Sequence, residues 1–122
     1  MEPLSVLQYI IDRQVLLQQR LKGDGDLQYG TLNSSERLTF IATAIMAEGA
    51  ELLEWLPWKP HKRSYRGVID EPVREEALTE LVDLLHYVVA GFIELGVVSE
   101  QEVLERFLKK NTENHRRQDE KY

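Results

Sequence analysis

Two acidic pairs stand where a helix would ordinarily carry apolar residues. In the stretch from Ser34 to Leu56, Leu38, Ile41, Ile45, Leu52 and Trp55 recur at steps of three and four, and the position missing from that series is Glu48. Glu51 follows one helical turn later. In LVDLLHYVVAGFI, Asp83 and His86 interrupt a run that is otherwise apolar on nearly every face, and Glu80 precedes Asp83 by one turn. A spacing of i, i+3 puts each pair on one side of its helix. An unpaired buried carboxylate costs several kcal/mol, so such groups are paired or bound to metal. If the two helices pack together, four carboxylates converge on an oxygen-only site of the kind that suits Mg²⁺ or Mn²⁺. Either pair alone is weak, since Glu102 and Glu105 repeat the spacing on a solvated face. Both pairs, however, lie on the two strongest apolar stripes, where a solvated acid is not expected.

Asp83 and His86 also have the carboxylate–histidine spacing of di-iron bundles, but those require the motif on two helices. Neither His61 nor His115 has an acid three residues before it, so His86 reads as a supporting or core histidine. Between the acidic helices, WKPHKRSYR carries Lys59, Lys62, Arg63 and Arg66 and no acid; Lys109, Lys110, Arg116 and Arg117 form a second basic cluster. Taken singly each cluster is an ordinary solvated surface. Flanking an acidic centre, they suit a phosphate chain held between metal and cations. Gln8 and Gln14 sit among apolar residues of the first helical stretch. An amide can read a pyrimidine edge through its paired donor and acceptor, but a long polar residue at a helix boundary is more common, so Gln8 is only a candidate.

Four helices must position these groups. Period and caps place them at about Leu4–Lys22, from the Asn33/Glu36 capping box to Leu56 before Pro57, at Val73–Leu95 before Gly96, and from Glu100, behind a Ser99/Glu102 box, into the polar tail. The first helix is expected to bury Leu7, Ile10, Leu17 and Leu21, and the third Leu78, Leu81, Leu85, Val88, Phe92 and Leu95. Trp58 to Pro72 reads as a loop. With no alternating strands, repeats or low-complexity tract, the expected architecture is all-α: a single antiparallel helical bundle spanning 1–122.

Composition narrows the classes. The chain has 122 residues, 43% of them hydrophobic, and a net charge of −6 from 21 acids against 15 lysines and arginines. That balance argues against bulk binding to nucleic acid. Without cysteine there is no disulfide and no thiolate zinc site. No apolar run reaches the roughly 20 residues of a membrane span, and the acid and polar residues near the N-terminus do not fit a signal peptide. A cytoplasmic protein is expected. The third helix is apolar on more faces than one small chain covers, which points to a homodimer, with a tetramer as the larger alternative.

The segments LQYIID (7–12), EGAELLEWLPWK (48–59), ELVDLLHY (80–87) and KNTENHRRQDEKY (110–122) together resemble the dimeric, all-α dUTP diphosphatases, relatives of the MazG-like pyrophosphatases. The resemblance implies that Glu48, Glu51, Glu80 and Asp83 hold two or more Mg²⁺ ions, with Glu51 also orienting or deprotonating the attacking water. It implies phosphate contacts from Lys59, Lys110, Arg117 and Tyr122, and nucleoside contacts from Gln8 and Asn114. Residues 110–122 would act as a clamp over substrate, mobile until it binds. The sequence departs from the pattern at Asp12, where several relatives have Asn, at His61 and at Lys121. The implied activity is hydrolysis of dUTP to dUMP and diphosphate. Two alternatives stay open: a broader MazG-like enzyme acting on dCTP or modified nucleotides, and a non-catalytic helical dimerisation module.

Overall fold

The computed structural model describes residues 5–120. Its elements are α1 (Val6–Gly23), α2 (Ser34–Trp55), α3 (Glu71–Glu94) and α4 (Glu100–Asp119), with one 3-10 turn, Tyr29–Thr31, between α1 and α2. There is no strand among the described residues. The fold is all-α. Leu4, expected to open the first helix, lies outside the described residues.

Each helix starts for a local reason. Ser5 accepts from the backbone of Gln8 at 3.2 Å and caps α1. Asn33 and Glu36 form the expected reciprocal box, with Glu36 N donating to Asn33 Oδ1 at 2.8 Å and Asn33 N to Glu36 Oε1 at 3.1 Å. Asp70 caps α3 through Val73 N at 3.0 Å, so Pro72 falls inside the first turn rather than in the loop. Proline is at home there, because the first-turn N–H groups have no helical partner. Ser99 caps α4, but the expected second box does not form: Glu102 turns instead to Arg106 at 2.9 Å.

Two glycines are required by geometry. Gly96 ends α3 at φ +83°, a left-handed conformation that side chains rarely adopt, and its N–H donates to Ile93 O at 2.9 Å. Gly30 lets the 3-10 turn close over the end of α1, where any Cβ would collide with the Lys22 carbonyl oxygen.

Helices α2 and α3 form an antiparallel hairpin. Arg37 meets Glu94 at one end, Leu38 and Ile41 lie against Gly91 in the middle, and Glu48 meets Glu80 and Asp83 near the connecting loop. The inner stripe of α2 runs as expected from Leu38 through Ile41, Ile45, Glu48 and Leu52, although Trp55 is exposed. Ile41, Val89, Ala90, Ile11 from α1 and Val97 from the α3–α4 connection make the buried core. Full burial of one such aliphatic side chain stabilises by roughly 1.5–3 kcal/mol.

Two expected faces are corrected. On α3, Leu78, Leu81, Leu85, Val88 and Leu95 are 40–67% exposed, and only Phe92 of that stripe is half-buried. The side of α3 turned to α2 carries Glu80, Asp83, Tyr87 and Gly91 instead. A helix apolar on several faces gives no unique phase, and here the acid-bearing face took the neighbour. On α1, Leu17 is exposed, while Ile11, Gln14 and Gln18 are buried. The centre of the buried face is thus the 11–14–18 row, with the expected Leu7, Ile10 and Leu21 half-buried beside it.

Candidate metal centre and the cavity beside it

The α2–α3 hairpin carries carboxylate oxygens of Glu48, Glu80 and Asp83 to within 4.8 Å of one another. None of the three is fully exposed, and the Oε2 atoms of both Glu48 and Glu80 are buried without a hydrogen-bond partner. Buried acceptors are almost always satisfied. Two orphaned carboxylate oxygens within one acid cluster are therefore the observation that fits a cation. The donor set, hard oxygens only, fits Mg²⁺ or Mn²⁺.

The fourth acid, Glu51, is exposed and stands beside Glu48 at the rim of the cluster. Contact with Glu80, then burial, then the charges of Asp83 and Glu80 push the Glu48 carboxyl above its ordinary value. The Glu51 carboxyl is also raised, by hydrogen bonding to Glu48 and by the Glu48 charge. Like charges this close favour a shared proton or a cation.

Beside the acids lies a cavity of about 330 Å³ whose wall includes Glu48 and Asp83 together with Gln14, Gln18, Tyr29, Phe40 and Tyr87. Its three rings form an edge-to-face chain, Tyr29 to Phe40 at 5.9 Å and Phe40 to Tyr87 at 6.2 Å. Burial, reinforced by the Glu94 charge, raises the Tyr29 hydroxyl, which stays protonated and able to donate. His86 borders the same cavity; its Nδ1 lies 3.0 Å from Val82 O, in keeping with a supporting role.

On the outer side, Glu54 borders two grooves. One also contains Glu51, Trp55 and Glu80, and the other Trp58, Lys59, Lys62, Tyr65 and Arg66. Lys59 therefore lies one groove away from the acids, with its Nζ 4.9 Å from the Trp58 ring centre.

The remaining expected site residues fall elsewhere. Gln8 ties α1 to the start of α4: its Oε1 accepts from Glu100 N at 2.9 Å, and its Nε2 donates to Val98 O at 3.0 Å and Asp12 Oδ1 at 2.9 Å. Both donors are engaged, and Gln8 is absent from the wall of the cavity beside the acids. Lys110, Asn114 and Arg117 lie in the second half of α4, a helix that buries no residue and meets α1 through its first turn. Within one chain they are not gathered onto the acids. The tail from 110 to 119 is continuous helix rather than a separate segment, and Glu113 pairs with Arg116 at 2.6 Å and Arg117 at 3.4 Å. Tyr122 lies outside the described residues.

Glu94 was not anticipated. It ends α3, where the helix dipole disfavours an acid. It is held by Arg37 at 2.9 Å and Lys22 at 3.2 Å, with Gln18 Nε2 donating at 3.1 Å. An acid in the last turn of an apolar helix was the signal that could have found it.

Comparison with protein-family models, with curated proteins and with solved structures returns no match for this chain.

Proposed function

We propose that this chain is a Mg²⁺-dependent nucleoside triphosphate diphosphatase, with dUTP as the first substrate to test. The carrying observation is the convergence of Glu48, Glu80 and Asp83, with two orphaned buried oxygens, beside a cavity that Glu48 and Asp83 help to wall together with three aromatic rings and two amides. A divalent cation and a nucleobase would occupy adjoining space. The basic loop on the far side of Glu54 supplies cations for a phosphate chain. The resemblance in sequence to the dimeric dUTP diphosphatases and their MazG-like relatives points the same way.

Glu48, Glu80 and Asp83 would hold the ion, which when bound neutralises phosphate charge and acidifies water. Glu51, exposed at the rim with its carboxyl raised by the neighbouring Glu48, would take the proton of an attacking water at its carboxylate. Lys59 and its neighbours would stabilise charge on the departing phosphates. The protein's part is to fix these groups and to shield the base from water.

The test is diphosphate release from a panel of dNTPs with Mg²⁺. Asp83→Asn and Glu51→Gln should each lower the rate at least a hundredfold, by the scale of lost electrostatic and acid–base catalysis. Glu105→Gln, which removes the same charge from a residue whose side chain, among the described residues, bonds Gln101 alone, should leave it unchanged. Equal rates in all three variants, or no Mg²⁺-dependent release, would reject the proposal. A rate highest on dCTP would favour the broader MazG-like reading.

A further inference from the structure

Gln14 and Gln18 are 7% and 3% exposed, the only polar or charged residues in the buried core of the described chain. They form a directed chain. Gln18 Nε2 donates to Glu94 Oε1 at 3.1 Å, and Gln14 Nε2 donates to Gln18 Oε1 at 2.9 Å. An amide is normally free to turn end for end, because its oxygen and nitrogen are alike in size. Here it is not. An ionised carboxylate only accepts, so Gln18 must give its NH₂ to Glu94 and keep its oxygen for Gln14. Gln14 must then give its NH₂ to Gln18.

The group left over is the Gln14 carbonyl oxygen, to which no group donates among the described residues. Both glutamines line the 330 Å³ cavity that adjoins Glu48 and Asp83. Arg37 and Lys22 bind the Glu94 carboxylate and keep it ionised, so the direction of the chain is fixed by a charge outside that wall.

We propose that the cavity takes a heterocycle through a ring N–H donated to Gln14 Oε1, and that Glu94 acts as a positioning residue, setting this polarity through Gln18 without touching the ring. The inference rests on the nucleotide reading of the site and names the edge it accepts. An imide such as uracil offers a ring N–H. A ring with a lone pair at that position sets acceptor against acceptor and covers the Gln14 oxygen without pairing it, which costs about tenfold or more in affinity.

The experiment is calorimetric binding, with Mg²⁺, of two non-hydrolysable ligands: α,β-imido-dUTP and its N3-methyl derivative, which lacks the ring N–H. Inorganic imidodiphosphate serves as a base-free probe. The wild-type chain should prefer the N–H ligand by about tenfold or more. Gln14→Met, which keeps the side chain's volume but removes the acceptor, should bring the two within about twofold. Glu94→Gln, which lets the chain reverse, should erode the preference while imidodiphosphate binds as before. Gln18→Met cuts the chain without changing charge and carries the same expectation should Glu94→Gln fail to fold.

Equal binding of both ligands by the wild type overturns the proposal. A preference that survives Gln14→Met shows exclusion of the methyl group by size and overturns it too, whereas one that survives Gln18→Met removes Glu94's role. If imidodiphosphate and both nucleotides fail to bind, the nucleotide reading itself falls and takes this inference with it.

Discussion

Arg37 and Glu94 meet at 2.9 Å across the end of the α2–α3 hairpin farthest from its loop, their side chains 13% and 2% exposed. Burial alone would raise the Glu94 carboxyl, but the hydrogen bonds from Arg37 and Lys22 outweigh it and hold the group below its ordinary value. A lowered carboxyl contributes stability that is present above the unfolded-state value, near 4.5, and is lost as pH falls through the folded one. Arg37→Met should cost about 3 kcal/mol at neutral pH, the lower end for breaking a buried pair because Lys22 remains. Urea unfolding across acid pH should show a shallower acid loss in this variant than in the wild type. An unchanged midpoint would mean that Lys22 alone suffices.

The acid cluster predicts the opposite slope. Glu48 and Glu51 are raised above 4.5, so without metal they favour the folded state at low pH and oppose it as pH rises through their raised values. The metal-free protein should therefore lose melting temperature from mildly acid to neutral pH, and Mg²⁺ or Mn²⁺ should restore it. Chelator should reverse the gain. A melting temperature indifferent to both ions at neutral pH would count against a metal centre here.

Gln8→Ala should loosen α4 rather than alter base choice. The substitution leaves Glu100 N and Val98 O without their partner, at a cost of about 1–2 kcal/mol. Hydrogen exchange should speed up in the first turn of α4 and leave α2 and α3 unchanged. A changed ranking of dUTP over dCTP with α4 protection intact would return Gln8 to the nucleoside role that the sequence motif implied.

Association is the fourth expectation. Leu78, Leu81, Val82, Leu85 and Val88 form an exposed apolar row on α3, and contiguous rows of this kind mark interfaces. The chain should sediment as a homodimer or larger at micromolar concentration. Leu81→Lys combined with Leu85→Lys should reduce it to monomer without unfolding it. A monomeric wild type would end this reading.

Helix positions were legible because their caps are short-range chemistry, as Asn33, Glu36, Asp70 and Gly96 show. The acid trio was legible because Glu48 and Asp83 break apolar periods. Faces were harder. On α3 every side is apolar enough to be buried, so the leucine stripe looked like the core until α2 claimed the side with Glu80 and Asp83. On α1 the buried row contains two glutamines, which hydrophobic periodicity scores as surface. Those glutamines owe their burial to Glu94, a partner 76 residues from Gln18 in sequence, beyond the reach of any local pattern. Gln8 was a candidate for reading a base for the same reason: apart from Asp12, the groups that engage its side chain lie 90 and 92 residues away.

The loop joining α2 to α3 holds the cationic groove, while the carboxylates that bracket it stand on rigid helices. Doubling the length of a flexible surface loop adds only about 0.6 kcal/mol of closure entropy. The loop from 57 to 69, short of the Asp70 cap of α3, can thus lengthen or change its cations at little cost in stability, while the oxygens of Glu48, Glu80 and Asp83 stay where they are. The hairpin separates a fixed set of oxygens from a set of cations that is free to vary.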